Sequence, residues 1–204
     1  MNEDFAPINL SDHFLIAMPS MDDEAFARSV VYVCEHTENG AMGIVINKPG
    51  DLMLTELFKK VDLPLVREDL RDAKVFQGGP VYTDRGFVLH SPVRALVDAT
   101  VEPADSTPIY ASTLSVPNGL ELTTSRDVLE AIANGAGPAQ VLVSLGYSVW
   151  GGGQLESELS DNSWLTVQAE PHVVFDTPVE ERYTQALRLL GIDLLSLSAV
   201  GGRA

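Results

Sequence analysis

The chain of 204 residues is long enough for a single domain with its own hydrophobic core, and 45% hydrophobic and 21% charged residues argue against extended disorder. Its 29 acidic and 13 basic residues give a formal net charge of -16, which opposes the approach of DNA or RNA phosphates at long range. We therefore expect one domain over residues 1–204 and no direct contact with nucleic acid.

Cysteine content and the opening residues indicate the compartment. A single cysteine, Cys34, cannot form an internal disulfide, and the acidic residues 1–4 do not resemble the basic start of a secretory signal. No apolar run reaches the roughly 20 residues that a membrane-spanning helix needs. We expect a cytoplasmic protein without a membrane contact.

The first predicted elements precede a central hairpin. Residues 1–12 lack periodicity and predict a loose arm, which is followed by a strand at 14–18. Asp22 or Asp23 is placed to cap a short helical turn. These elements lead into the central hairpin, around which we expect the rest of the fold to pack.

The central hairpin lies between Arg28 and Pro49. Its two apolar runs, 30–34 and 42–46, flank Asn39-Gly40, a pair that tolerates the positive φ angles of a tight turn. The first run is apolar at consecutive positions, so both faces of this strand carry hydrophobic side chains. We expect other elements to cover the hairpin on both sides.

The rest of the chain predicts strands and short helices in irregular alternation. Predicted strands are 74–77, 85–90, 109–116, 120–123, 140–145, 164–167 and 172–175, and predicted helices follow Pro49, Thr124, Gly153 and Thr177. Residues 93–108 predict a surface connection and 192–204 a C-terminal tail. Because tight hairpins join only antiparallel strands, the pattern predicts an α+β (mixed α/β) fold with a curved, barrel-like, largely antiparallel sheet and flanking short helices.

Cys34 and His36 are the strongest candidates for covalent chemistry. Two residues apart on one strand, their side chains should share a face and could form a thiolate-imidazole pair, as in a thiol-dependent hydrolase or transferase. We favour the alternative of a buried thiol beside a histidine at the hairpin end, because free cysteine is mostly a core residue.

Two other kinds of site find little support. Glycines 151–153 precede a helix as in a phosphate loop, but the Lys-Ser/Thr pair is missing and Glu156 stands where a third glycine belongs, which favours tight backbone packing. The four histidines show no metal-ligand spacing. We therefore expect no metal and no cofactor.

Short blocks in a fixed order run through nearly the whole chain. They are FLIAMP (14–19), RSVVY (28–32), CEH (34–36), GAMG (40–43), NKP (47–49), GGP (78–80), RGFVLH (85–90), TSRD (124–127), GY (146–147), Trp150, GQLE (153–156) and Asn162 with Trp164. Together these blocks resemble the bacterial AlgH/YqgE family. The resemblance implies a cytosolic α/β domain with a barrel-like sheet, in a family whose members are described as uncharacterised or as transcriptional regulators linked to alginate control and for which no reaction or cofactor is established.

Polar and amphipathic groups within these blocks are the candidate ligand-binding residues. They are Arg28, Asn47, Arg85, His90, Tyr147, Trp150, Gln154, Glu156 and Glu158. If Arg28 and Arg85 converge, they could hold a carboxylate or phosphate of a small ligand. The favoured alternative is that these arginines form structural ion pairs with Glu35, Glu156 or Glu158.

Three function classes follow from these observations. We expect a non-enzymatic regulatory or binding protein that acts through a protein or small-molecule partner, with any effect on transcription being indirect. A thiol-dependent enzyme using Cys34 and His36 is the first alternative. A direct transcriptional regulator is the second, and the net charge opposes it.

Overall fold

The computed structural model describes residues 9–93 and 108–192. Within them the chain forms ten strands and five α-helices. The strands are β1 (His13–Ala17), β2 (Val30–Thr37), β3 (Gly40–Val45), β4 (Pro49–Met53), β5 (Lys74–Gln77), β6 (Val81–His90), β7 (Thr113–Ser115), β8 (Glu121–Thr123), β9 (Val141–Gly151) and β10 (Trp164–Gln168). The helices are α1 (Leu54–Lys60), α2 (Arg126–Ala133), α3 (Gln154–Ser160), α4 (Pro171–Phe175) and α5 (Arg182–Leu189).

The strands form one sheet with the order β10-β1-β2-β3-β9-β6-β8-β7, and β5 joins it by pairing with β9 and β4. Every described pair is antiparallel except β5 with β9. The hydroxyl of Tyr32 on β2 accepts a hydrogen bond from the Leu120 N–H, beside β8, at 2.9 Å. This bond joins parts of the sheet that β3, β9 and β6 separate, so the sheet is curled. The predicted fold class is confirmed.

Three hydrophobic clusters fill the two faces of this sheet. An inner cluster on the concave face includes Phe14, Tyr32, Cys34, Ile44, Leu89, Leu142 and Leu187. A first outer cluster under α3 includes Leu15, Val31, Val33, Ala41, Trp150, Leu155 and Trp164. A second outer cluster under α1 and α2 includes Leu54, Phe58, Val75, Val88, Ile132 and Val143. Strand β2 contributes to both the inner and the first outer cluster, so the prediction of a hairpin covered on both sides is confirmed.

One predicted strand is wrong. Residues 172–175 belong to α4, which has Pro171 in its first turn, where a missing N–H costs nothing. Val173 and Val174 are neighbours, yet both are buried in the inner cluster. A strand would place them on opposite faces of the sheet, whereas a helix can bury both on one side.

Other boundaries differ by less. Strands β6 and β9 extend beyond the predicted 85–90 and 140–145, and the predicted strand 109–116 is shortened to β7. The predicted arm is not loose at residues 9–12, because Leu10 is buried and its N–H donates to His36 Nδ1 at 3.0 Å. Residues 1–8, most of the 93–108 connection and all but Ile192 of the C-terminal tail lie outside the described residues.

Candidate functional site

A cleft of about 380 Å³ opens where β4, β5, β6 and β9 meet the turn that precedes β2. Its lining is mainly apolar, as in most small-molecule sites, and includes a few polar groups. We call it the Lys48 cleft. Its lining residues are Ala25, Lys48, Gly50, Asp51, Leu52, Val75, Phe76, Gln77, Gly79, Pro80, Thr83 and Leu145.

The wall of the Lys48 cleft depends on two backbones in close contact. Gly79 has φ 153°, and a Cβ there would lie 2.2 Å from the carbonyl carbon of Tyr147. A Cβ at Gly146, with φ 74°, would lie 2.5 Å from the Gly79 oxygen. Only glycine fits both positions, since each combines an unusual φ with missing space. The GGP block, which lines the cleft through Gly79 and Pro80, is therefore held against the backbone of the GY block.

The Lys48 ammonium is the cleft's principal cationic group. Its Nζ donates hydrogen bonds to the carbonyl oxygens of Ala25 at 2.7 Å and Glu24 at 3.3 Å. Burial lowers the pKa of Lys48, and the nearby Asp23 carboxylate opposes that shift. An ammonium has three donors, so one N–H remains for a ligand.

A second cation lies behind the apolar wall of the cleft. The Arg182 guanidinium is 5.2 Å from the ring centroid of Phe76, which lines the cleft. Arg182 is buried, and its Nη1 and Nε donate to the carbonyl oxygens of Ile46 and Thr177. Burial lowers the pKa of Arg182 to about 10, although Glu180 opposes the shift. Among the described residues no carboxylate lies within 4 Å of either the Lys48 or the Arg182 charge.

The candidate Cys34–His36 pair does not form. A β-bulge between Val33 and Glu35 shifts the register of β2, so Cys34 faces the inner cluster and His36, opposite Ala41, faces the first outer cluster. Cys34 is 1% exposed, and burial raises the pKa of its thiol. The structure therefore matches the alternative that we favoured, a buried core thiol.

Four predicted ligand-binding residues form hydrogen bonds with each other or with His36. Glu158 Oε2 accepts the indole N–H of Trp150 at 2.9 Å and that of Trp164 at 2.7 Å, and Glu158 Oε1 accepts from Gln154. Glu156 Oε1 lies 2.9 Å from His36 Nε2. These contacts fasten α3 to the sheet.

The glycines before α3 also have a packing role. Gln154 Oε1 accepts the Gly151 N–H at 3.0 Å, so this amide is already bound. A Cβ at Gly152 would lie 2.8 Å from the Glu38 oxygen. The interpretation as tight backbone packing, rather than as a phosphate loop, agrees with this geometry.

Two further candidates have structural contacts. Asn47 joins two segments, accepting the Val30 N–H at 2.8 Å and donating to the Arg28 oxygen at 2.9 Å. His90 is fully buried; one ring nitrogen donates to the Ser91 oxygen and the other bonds to the Thr123 hydroxyl. Burial lowers the pKa of His90, opposed by its bond to Ser91 and by Glu121.

The two predicted arginines neither converge nor form the expected ion pairs. The Arg28 guanidinium lies 5.0 Å from the Tyr183 ring centroid and that of Arg85 lies 4.6 Å from the Tyr82 ring centroid. No carboxylate of the described residues is within 4 Å of either guanidinium. Arg85 and Tyr147 do line one pocket, together with Tyr82.

Sequence reasoning missed Lys48 as a candidate. The signal that could have found it is the NKP block, because a lysine between an asparagine and a proline at a strand end lies on a rigid corner. What the sequence could not supply is that residues 47–49 and 78–80 meet across β5. Their meeting is a consequence of the register in which Pro49 pairs with Phe76.

Comparison with known proteins decides the family. A family model described as AlgH-like matches residues 14–195. The chain belongs to the AlgH-like family. It is 62% identical to a UPF0301 protein of Variovorax paradoxus and 60% identical to one of a Polaromonas species, in each case over the full length of both chains.

Two solved structures resemble this AlgH-like protein. The solution structure of AlgH from Pseudomonas aeruginosa is 47% identical, with a TM-score of 0.71 over 98% of each chain. A crystal structure of a protein from Corynebacterium diphtheriae is 21% identical, with a TM-score of 0.65 over 88% of this chain and 86% of that one, and shows the shared fold alone. The resemblance inferred from the sequence is confirmed.

Two other features are absent from the described residues. In the two described ranges, no helix is long and apolar enough to cross a membrane. The same part of the chain contains no group of three or more His, Cys, Asp or Glu side chains arranged to hold a metal ion.

Proposed function

We propose that this AlgH-like protein is a non-enzymatic binding protein that holds a small anionic molecule with an apolar body in the Lys48 cleft. The observation that carries the proposal is the Lys48 ammonium at the edge of an apolar cavity of about 380 Å³, with one donor left after its two carbonyl bonds. An anion would accept a hydrogen bond from the remaining N–H of Lys48, and the apolar walls would exclude water from the rest of the ligand.

The charges around the cleft support an anion over a cation. Lys48 and Asp51 are the charged side chains among the described lining residues, and the buried Arg182 lies behind the lining residue Phe76. The whole chain carries a formal net charge of -16, so two neighbouring cations with no described carboxylate within 4 Å are a local exception. A carboxylate or phosphate on the ligand would offset the desolvated positive charge.

The turn held by Lys48 gives a route from the cleft to a second part of the molecule. Phe26 follows the two carbonyls that Lys48 binds, and its ring lies 5.9 Å from that of Trp150 and 5.5 Å from that of Trp164. A ligand that changed the position of the ammonium would move this turn against both tryptophans. Occupancy of the cleft would thereby move the exposed residues 22–24 of this turn, which form a surface that a protein partner could recognise.

The two rival classes have less support. An enzyme built on Cys34 and His36 would need them on one face, and they lie on opposite faces. A direct transcriptional regulator would need a basic surface, whereas 29 acidic residues outnumber 13 basic ones. Any effect on transcription would be exerted through a partner, in a cytoplasmic setting.

Native mass spectrometry of protein purified from its own cells tests the proposal. We expect a retained anionic molecule on the wild-type protein and on Lys59→Met, a control at an exposed lysine of α1. We expect the retained molecule to be lost from Lys48→Met. Equal retention by all three proteins, or no retained molecule in any, would count against the Lys48 cleft.

A further inference from the structure

A second pocket, of about 420 Å³, opens where β6 separates from β9. The register of this strand pair is broken between Val81 and Gly86, so the residues between them bulge away from the sheet. We call it the Arg85 pocket, and it shares no lining residue with the Lys48 cleft. Its lining residues are Met42, Tyr82, Arg85, Gly86, Phe87, Thr124 and Tyr147.

Three of the seven described lining residues of the Arg85 pocket are aromatic. Tyr82 stacks on Tyr147 with ring centroids 6.0 Å apart and an interplanar angle of 27°, and Tyr147 lies 5.2 Å from Phe87. Tyr82 remains 54% exposed, an unusual amount for a large aromatic side chain. Its φ of 47° is a left-handed conformation that non-glycine residues rarely adopt. The bulge thus holds an aromatic ring toward solvent in an unfavourable backbone conformation.

The only charged side chain among the described lining residues is Arg85. Its guanidinium lies 4.6 Å from the Tyr82 ring centroid, and no described carboxylate is within 4 Å of it. A guanidinium presents parallel N–H donors that match the two oxygens of a carboxylate. Because the described lining holds no acidic group, a carboxylate entering this pocket would meet no direct repulsion there.

We propose that the Arg85 pocket binds a small aromatic carboxylate. The ring of the ligand packs against Tyr82 and Tyr147, and its carboxylate accepts two hydrogen bonds from Arg85. Met42 and Phe87 give the ring an apolar floor, and Thr124 belongs to the same lining. This site is independent of the Lys48 cleft, since the cation that binds the ligand here is Arg85.

NMR titration with 4-hydroxyphenylacetate tests the proposal directly. We expect saturable shifts of the Tyr82 and Tyr147 ring signals and of the Arg85 side-chain N–H. Two control probes separate the requirements: 4-hydroxyphenethyl alcohol keeps the ring and lacks the charge, and acetate keeps the charge and lacks the ring. Each should bind at least about tenfold more weakly, as expected for loss of a charge-assisted bidentate contact or of the ring contact.

Three variants decide the outcome. Arg85→Gln should weaken 4-hydroxyphenylacetate binding at least about tenfold, whereas Arg71→Gln, at an exposed arginine paired with Glu68, should leave it unchanged. Lys48→Met should also leave it unchanged, which separates this site from the Lys48 cleft. The proposal is overturned if no saturable shift occurs at the pocket, if the uncharged probe binds equally well, or if Arg85→Gln binds as the wild type does.

Discussion

Cys34 and His36 are two residues apart on β2, yet their side chains lie on opposite faces of the sheet. The β-bulge between Val33 and Glu35 adds one residue to the strand, which reverses the alternation of side chains beyond it. Cys34 is thereby enclosed in the inner cluster, while His36 accepts the Leu10 N–H and contacts Glu156. The bulge separates the two groups that a thiol enzyme would need together.

The Cys34 thiol should therefore resist alkylation in the folded protein. Burial both blocks access and raises the pKa of the thiol, so little thiolate forms at neutral pH. We expect iodoacetamide at pH 7 to react at least about a hundredfold more slowly with the native protein than with the chain unfolded in guanidinium chloride. Rapid native alkylation that rises with pH near neutrality would indicate an exposed, activated cysteine instead.

Replacement of the carboxylate that binds both indoles should destabilise the protein. Glu158→Leu leaves the buried Trp150 and Trp164 N–H donors without an acceptor. We expect the free energy of unfolding, measured in urea, to fall by about 3 kcal/mol. Glu130→Leu is the matched control, because Glu130 forms an exposed pair with Arg126 on α2, and it should change stability by no more than about 0.5 kcal/mol. Similar losses in both variants would contradict the structural role of Glu158.

Position 79, where the backbone lies against that of Tyr147, should tolerate no side chain. In Gly79→Ala the new methyl group would lie 2.2 Å from the Tyr147 carbonyl carbon, at a φ that favours glycine. We expect a loss of about 3 kcal/mol in the free energy of unfolding. Gly86→Ala is the control, since a Cβ at that position would meet nothing within 4 Å, and its change should stay within about 1 kcal/mol. A stable Gly79→Ala protein would show that the two backbones are not in close contact.

His90 should make the fold sensitive to mild acid. Burial lowers the pKa of His90 in the folded state below its ordinary value of about 6.5. The unfolded chain then binds more protons than the folded one between these two values. His90 thus contributes fully to stability above about pH 6.5, and the contribution declines as the pH falls through the folded-state pKa.

The difference between wild type and His90→Gln isolates this effect. We expect the free energy of unfolding of the wild type to fall more steeply between pH 7 and pH 5 than that of the variant, as measured by urea unfolding at each pH. Parallel pH profiles would mean that His90 titrates alike in the folded and unfolded states.

Much of the fold followed from patterns that act over short distances. Turn residues such as Asn39-Gly40 and the consecutive apolar residues of β2 predicted the hairpin and its burial on both sides, and both are present. The error at 172–175 arose because a short run of β-branched residues fits a strand or a helix equally well. Pro171 at a helix start was the local signal that decided it.

The candidate site was less predictable because it depends on distant contacts. The candidate Cys34–His36 pair, which we did not favour, is separated by a bulge that alternation along a single strand does not reveal. Arg28 and Arg85 were expected beside carboxylates and lie over tyrosine rings, a choice set by which elements pack nearby. The position of Lys48 at the cleft depends on the pairing of β4 with β5, which the sequence pattern does not show.

The central claim is that the Lys48 cleft holds an anion with an apolar body, and an NMR titration with hexanoate tests it most directly. We expect hexanoate to shift the backbone amides of residues 48–52 and 75–79 in a saturable manner, with 1-hexanol at least about tenfold weaker because it cannot accept from the ammonium as an anion does. Lys48→Met should abolish the preference for hexanoate, and Lys59→Met should keep it. Equal binding of hexanoate by the wild type and Lys48→Met, or no saturable shift at these residues, would contradict the claim.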